Sequence, residues 1–231
     1  MPLKPAVFHG WDVIVEEITQ LLIKEETSRV CILGAGGMGK TSFALGVVEQ
    51  SLIMARFLPD NIVWVPCIEA TSATLFLEIL FTQLQVLGNT GQATIEKIIS
   101  LLAATSTHPR LILLDNFETP YNVLDRAQKQ VEDTLRWLAM LSHIAILVTM
   151  RGRHPPCAEA IEWQSKEIQP TDEGSCLRIY HSIYPDSKND PDVGRLLRIL
   201  GHMPFAITLM ARLAKEGLST AIDSSMVRER A

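Results

Sequence analysis

Residues 34–41 read Gly-Ala-Gly-Gly-Met-Gly-Lys-Thr and directly follow the apolar residues 30–33. Glycines at these positions allow a tight turn whose successive backbone amides point toward one anion, and the helix that follows adds its partial positive charge. Lys40 contributes a full positive charge, and the hydroxyl of Thr41 is a suitable ligand for Mg²⁺. The segment is a complete P-loop and predicts binding of a nucleotide polyphosphate. The residues predicted to contact the nucleotide here are Gly34, Ala35, Gly36, Gly37, Met38, Gly39, Lys40, Thr41 and Ser42.

A second candidate is the carboxylate of Asp115, which follows the apolar residues 111–114. This arrangement is typical of a Walker B strand, whose acid holds the Mg²⁺ on the β- and γ-phosphates, often through water. A hydrophobic strand that ends in Asp also commonly caps a turn, but here it lies downstream of an intact P-loop. We therefore predict that Thr41 and Asp115 lie on the metal side of the site.

Two residues near Asp115 bear on hydrolysis. Many P-loop ATPases place a second acid directly after the first to orient the attacking water, whereas Asn116 positions water but cannot accept a proton. Glu118 is a candidate replacement for that acid, and a solvated loop carboxylate is the alternative interpretation. The sequence therefore predicts slow hydrolysis.

Arg151 follows a third apolar stretch, residues 145–148, after Thr149 and Met150. It is predicted to lie at the carboxyl edge of the sheet, where α/β proteins bind ligands. An arginine there would distinguish triphosphate from diphosphate by charge-assisted hydrogen bonds. Arg153 is a second candidate, and a surface position is the alternative for both. The predicted catalytic residues are Lys40, Asp115, Asn116, Glu118 and Arg151.

The elements that position these residues alternate along the chain. Short apolar runs predict buried parallel strands at residues 30–33, 62–65, 111–114 and 145–148, with a fifth at 165–168. Between and around them, helical spacing predicts helices at residues 12–24, 40–54, 73–87, 92–104 and 127–141. The fold class is therefore α/β, a three-layer P-loop NTPase sheet of about five parallel strands.

Downstream of Gln169 and Pro170 the pattern becomes helical, with predicted helices at 171–183, 191–200 and 204–215. Asp190 is expected to be the N-cap of the second of these, with Pro191 in its first turn, and Gly201 and Gly217 are expected helix stops. We predict a P-loop domain over residues 1–168 and a helical subdomain over residues 169–231.

Composition sets the broad class of the protein. The 231 residues are 47% hydrophobic, carry a formal net charge of −5 and include four cysteines at spacings that fit neither a zinc site nor a redox pair. The charge gives no general attraction to nucleic acid or to an anionic membrane, so neither is expected as a partner. The first residues lack a signal-peptide pattern and no apolar stretch is long enough to span a membrane, which favours a cytoplasmic location.

Several motifs together resemble the STAND-class NTPases, which include the NB-ARC and NACHT modules of immune and cell-death receptors (NLR type). The P-loop and the Leu-Leu-Asp strand fit that class, and residues 148–151, Val-Thr-Met-Arg, resemble its sensor motif. Residues 8–11, Phe-His-Gly-Trp, are similar to its start motif, which usually ends in Gly-Arg. Residues 201–206, Gly-His-Met-Pro-Phe-Ala, are similar to its Gly-Leu-Pro-Leu-Ala motif, and residues 115–119 resemble fungal members.

This resemblance implies an ASCE-type sheet, an ARC1/HD1-like helical subdomain, and a nucleotide base enclosed by Pro204 and the backbone near Phe8 and His9. Trp11 stands where the family has arginine, so its indole either packs against the base or enters the core. The implied partners are ATP or ADP with Mg²⁺, other domains of a longer receptor, and other copies of the chain.

The leading hypothesis is a conformational switch, in which ATP binds with magnesium and slow hydrolysis to ADP biases a hinge near residues 169–170. One alternative is a constitutive NTPase that also accepts GTP, although no Asn-Lys-x-Asp guanine-binding element is present. Another is a scaffold that holds ADP without hydrolysis and mediates assembly. A DNA-loading ATPase of initiator type is disfavoured because no basic tract or winged helix is visible.

Overall fold

The residues that the computed structural model describes are 9–24, 27–84, 93–104, 108–123 and 126–217. Their internal contacts divide them into two units. The first unit consists of Val13–Gly36 and Lys40–Ile168, and the second consists of Gly37–Gly39 with residues 9–12 and 169–217. The second unit therefore includes two short segments that precede its main segment in the sequence.

The first unit is built on a five-stranded sheet. Its strands are β1 (Arg29–Leu33), β2 (Ile62–Pro66), β3 (Arg110–Asp115), β4 (Ile144–Met150) and β5 (Gln164–Glu167). All neighbouring strands pair in parallel in the order β2-β3-β4-β1-β5. The strands β1 and β4 are buried along their whole length, as continuous apolar runs predict for a sheet covered on both faces. The predicted parallel sheet is confirmed.

The helices of this unit agree with the prediction in most places. They are α1 (Asp12–Lys24), α2 (Lys40–Val48), α3 (Ser51–Phe57), α4 (Ala73–Gln83), α5 (Ile95–Ala104), α6 (Glu118–Tyr121) and α7 (Arg126–Met140). The single helix predicted for residues 40–54 is wrong, because extended backbone at Gln50 separates α2 from α3. This break allows Ile53 and Phe57 to be buried on the second helix. The predicted ends at residues 87 and 92 lie outside the described residues.

The second unit is helical and has its own apolar core. Its helices are α8 (Glu173–Ile183), α9 (Val193–Ile199) and α10 (Pro204–Lys215). The side chain of Asp172 caps α8 by accepting a hydrogen bond from the Ser175 amide at 2.9 Å. Gly201 and Gly217 follow α9 and α10 with φ of 61° and 74°, as their prediction as helix stops requires.

The predicted N-cap at Asp190 is wrong. The helix α9 begins three residues later, at Val193, and Asp190 Oδ1 instead accepts the backbone amide of Asp192 at 2.9 Å. The carboxylate is used in the turn after the 3₁₀ helix Pro185–Asn189, because Asp and Asn side chains readily bond the backbone two residues on.

None of the helices within the described residues is long and apolar enough to cross a membrane. All four cysteines are buried and free, and burial raises the pKa of the Cys31 thiol to about 12. They pack as small apolar residues.

Arg29 is a buried charge at the start of β1 that the apolar pattern did not indicate. Its guanidinium donates to the carbonyl oxygens of Ile144 at 2.5 Å and Ala139 at 2.6 Å, with longer bonds to Leu141 and Ser28. Burial lowers its pKa to about 10. A cation here satisfies carbonyls at the C-terminal end of α7 and links that end to β1 and β4.

We predict that Arg29→Met lowers the free energy of unfolding by about 3 kcal/mol, because buried carbonyls lose charged donors. The control is Arg136→Met, which removes a half-exposed arginine paired with Glu132 and Asp133 on α7 and should cost less than about 1 kcal/mol. Urea unfolding followed by circular dichroism measures both. Equal losses in the two variants would contradict a structural role for Arg29.

Candidate nucleotide and metal site

The P-loop connects β1 to α2 through residues 34–39. Gly37 and Gly39 have φ of 79° and 82°, a region that other residues rarely adopt. At Gly39 there is a second constraint, since a Cβ there would lie 2.9 Å from Cη2 of Trp11, a residue of the same unit. Trp11 is 4% exposed, which favours the core interpretation of its indole over a base contact.

Lys40 opens α2 and is buried. Its Nζ donates to the carbonyl oxygens of Gly34 at 2.9 Å and Ala35 at 2.8 Å. Burial lowers the pKa of Lys40, and the charges of Glu118 and Asp115 oppose this shift while that of Arg151 adds to it. The ammonium group therefore lies over the first residues of the loop, within the field of three other predicted site residues.

Asp115 at the end of β3 is 5% exposed and is held by hydroxyl groups from two other elements. Thr41 Oγ1, on α2, lies 3.0 Å from each of its carboxylate oxygens, and Thr149 Oγ1, on β4, donates to Oδ1 at 2.5 Å. Burial raises the pKa of Asp115, and the hydrogen bonds from Thr149 and Thr41 counteract this effect. The predicted pair Thr41 and Asp115 is in direct contact.

This donor set fits Mg²⁺. A hydroxyl and a carboxylate are the hard oxygen ligands that the ion prefers, and Mg²⁺ in phosphate sites keeps several waters and takes the rest of its ligands from the substrate. Among the described residues, no group of three or more His, Cys, Asp or Glu side chains is arranged to hold a metal. The residues available to a metal at this site are therefore Thr41 and Asp115.

Asn116 and Glu118 lie in different surroundings. Asn116 has φ of 58°, and its backbone amide donates to Thr149 Oγ1 at 3.1 Å. Glu118 begins α6, and its Oε2 accepts the backbone amide of Arg151 at 3.1 Å while its Oε1 lies 3.1 Å from Arg151 Nε. The side chain of Glu118 is 13% exposed, so the alternative of a solvated loop carboxylate is wrong. Arg153 is exposed.

The residues predicted to surround the nucleotide base belong to the second unit. Pro204 begins α10 and is buried, His9 is half-buried, and Phe8 lies outside the described residues. The amide of Phe205 donates to the Gly37 carbonyl at 3.2 Å, which joins the start of α10 to the middle of the P-loop. The contacts of these residues with a base stay a prediction.

Sequence reasoning missed Thr149 as a member of this site. Its side chain bonds Asp115 and the Asn116 amide, and its carbonyl accepts the amide of Phe117 at 2.9 Å. The available signal was a hydroxyl near the end of an otherwise apolar strand. The contact of this hydroxyl with Asp115 requires β4 to lie beside β3 in the sheet, and the order of the strands along the chain does not specify that.

No family model and no curated protein matches the sequence, but solved structures match the fold. The Walker-type ATPase PABY2304 of Pyrococcus abyssi has a TM-score of 0.65 at 10% identity, over 94% of this chain and 71% of that chain. The Aeropyrum pernix ORC1 protein, in complex with DNA, has a TM-score of 0.67 at 15% identity, over 92% of this chain and 61% of that chain. The STAND protein PH0952 of Pyrococcus horikoshii, which has a tetratricopeptide repeat sensor, has a TM-score of 0.54 at 15% identity.

The match to the Pyrococcus horikoshii protein covers 98% of this chain and 32% of that protein. This chain therefore spans less than two thirds of the length of both the Pyrococcus horikoshii and the Aeropyrum pernix proteins. At such low identities the likeness shows the fold alone. It confirms the predicted P-loop NTPase fold, whereas the resemblance to NB-ARC and NACHT modules stays a prediction.

The prediction that excluded nucleic acid as a partner is wrong. The Aeropyrum pernix protein with this fold was solved in complex with DNA. The exclusion rested on the net charge of −5, which is a sum over the whole chain and does not describe any one surface.

We predict that Thr149→Val lowers the free energy of unfolding by about 1–3 kcal/mol, since the buried Asp115 loses a donor and the Asn116 amide loses its acceptor. The control is Thr134→Val, which removes another buried hydroxyl whose hydrogen-bond partner among the described residues is the Gln130 carbonyl within α7 and should cost less than about 1 kcal/mol. Thermal and urea unfolding measure both. A cost no larger than that of the control would contradict the role assigned to Thr149.

Proposed function

We propose that this protein binds ATP or ADP with Mg²⁺ through its P-loop and hydrolyses ATP slowly. The observation that carries the proposal is the contact of Thr41 Oγ1 with both carboxylate oxygens of Asp115, at the start of the helix that follows a complete P-loop. In P-loop NTPases this pair holds the metal that bridges the β- and γ-phosphates. Bound Mg²⁺ would neutralise the charge that develops on these phosphates.

Each predicted residue has a separate task in this proposal. The loop amides and Lys40 bind the phosphates, and Lys40 exchanges its bonds to the carbonyls of Gly34 and Ala35 for bonds to phosphate oxygens. Thr149 keeps Asp115 oriented toward Thr41. Asn116 positions water without accepting its proton, which supports a low rate of hydrolysis.

We further propose that the difference in charge between bound ATP and ADP makes the protein a conformational switch of the STAND type. The sequence motifs support this role, and the fold likeness to the Pyrococcus horikoshii STAND protein agrees with it. On this proposal the partners are other domains of a longer protein and other copies of the chain. Steady-state phosphate release separates the switch from a scaffold that only holds ADP. Competition by GTP against bound ATP tests the constitutive NTPase alternative.

We predict that Lys40→Ala weakens the affinity for Mg²⁺-ATP by about 100-fold, because the phosphates lose their principal cation. The control is Lys166→Ala on β5, which removes an exposed lysine paired with Glu17 and should leave the affinity within about twofold. Isothermal titration calorimetry measures both constants. Unchanged affinity in a folded Lys40→Ala protein would contradict the assignment of the P-loop.

We predict that removal of divalent metal abolishes phosphate release and reduces the thermal stabilisation by ATP, because the metal joins the phosphates to Thr41 and Asp115. Asp115→Ala should behave in the presence of Mg²⁺ as the wild type does in EDTA. The measurements are phosphate release and the shift in melting temperature on addition of ATP. Full metal dependence in Asp115→Ala would show that another residue holds the metal.

A further inference from the structure

We propose that Glu118 is a positioning residue that fixes Arg151 against the P-loop, and that this pair sets the preference of the site for triphosphate over diphosphate. The inference rests on the proposed function, because it concerns the same phosphate site. It assigns to Glu118 a task different from the catalytic-base candidacy that the sequence suggested.

Two contacts fix Arg151 to Glu118. The backbone amide of Arg151 donates to Oε2 at 3.1 Å, and the side-chain Nε forms an ion pair with Oε1 at 3.1 Å. The carboxylate of Glu118 therefore contacts both the backbone and the side chain of Arg151, the residue that follows β4. Because the ion pair is made at Nε, the two terminal guanidinium nitrogens of Arg151 are left to bond an oxyanion.

The guanidinium is held over the P-loop at Gly36. A Cβ at this position would lie 3.2 Å from Cζ and 3.3 Å from Nε of Arg151. Only glycine leaves the guanidinium this close to the loop backbone without displacement. Since loop amides and a planar cation converge here, an additional phosphate would meet both.

The two side chains differ in what holds them. Glu118 is 13% exposed and is positioned by its place at the start of α6, whereas the Arg151 side chain is 65% exposed. A long exposed side chain retains much rotamer freedom unless a fixed partner restricts it, and ordering it on ligand binding costs free energy. Glu118 is the fixed partner, so Arg151 is already partly ordered before a nucleotide binds.

Glu118 is also close enough to influence the other cation of the site. Its charge is the largest one that raises the pKa of Lys40. Oε2 accepts the Arg151 amide and Oε1 is paired with Arg151 Nε, so both oxygens of Glu118 are engaged with Arg151. The geometry therefore favours control of Arg151 over proton abstraction as the task of this carboxylate.

The test compares the ratio of the ADP and ATPγS dissociation constants, measured with Mg²⁺ by calorimetry, in the wild type, Glu118→Gln, Arg151→Ala and the double variant. Glutamine is uncharged and has a single acceptor oxygen, so it keeps a partner for the Arg151 amide but loses the ion pair with Nε. We expect each single variant to reduce the preference for ATPγS by about tenfold and the double variant to reduce it no further. Single-turnover hydrolysis by Glu118→Gln should fall no more than that by Arg151→Ala.

The matched control is Glu132→Gln, which disrupts a different Glu–Arg pair, the partly buried pair with Arg136 on α7. It should leave the ratio unchanged, and thermal unfolding should show all variants folded. If the wild type binds neither nucleotide, the proposed function fails. If it binds both but Glu118→Gln leaves the ratio as in the wild type, or the two single effects multiply in the double variant, only the inference about Glu118 is overturned. If a Glu118 variant unfolds, Arg151→Ala still tests the inference. An unchanged ratio of the ADP and ATPγS dissociation constants in Arg151→Ala would also overturn it.

Discussion

The burial of the Asp115 carboxylate is the constraint on which the rest of the first unit depends. A carboxylate with 5% exposure is unfavourable in an apolar sheet unless hydrogen-bond donors surround it. Here the donors are hydroxyl groups, Thr41 from α2 and Thr149 from β4, so three elements must meet at one point. That meeting is possible because β4 lies between β3 and β1 in a parallel sheet, which brings the carboxyl ends of these strands to one edge. Apolar packing holds α2, β3 and β4 in place, and the hydroxyl groups of Thr41 and Thr149 orient the carboxylate of Asp115.

The site contains two cations, Lys40 and Arg151, and the protein groups that hold them differ in charge. Lys40 bonds the carbonyl oxygens of Gly34 and Ala35, and Arg151 bonds the carboxylate of Glu118. Carbonyl partners carry no net charge, so phosphate displaces them readily, whereas Arg151 keeps its carboxylate and offers its terminal nitrogens. The two cations therefore differ in kind. On the proposed function, Lys40 would supply affinity for any polyphosphate and Arg151 would discriminate between ATP and ADP.

Proteins with different descriptions share this fold. An ATPase, a DNA-bound ORC1 protein and a STAND protein share this fold with the chain at 10–15% identity. The matches cover 92–98% of this chain, and one fold can serve many functions. The shared fold therefore does not specify the biological role of the chain. For this reason the net charge was a poor basis on which to exclude nucleic acid.

The sequence by itself determined the local features. The P-loop is a continuous segment whose chemistry depends on adjacent residues, and the strands are short apolar runs, so both could be predicted from the chain alone. Asp115, Thr41 and Arg151 were found for the same reason, since each ends or begins a recognisable element.

Only the tertiary structure decided the features that depend on strand order and packing. The partnership of Glu118 with Arg151 and the role of Thr149 require β3 and β4 to be neighbours, although 28 residues separate Asp115 at the end of β3 from Ile144 at the start of β4. The break at Gln50 and the use of Asp190 in a turn follow from which side chains the folded chain buries or bonds. Local propensity does not encode such choices, because they depend on contacts between residues that are distant in the sequence.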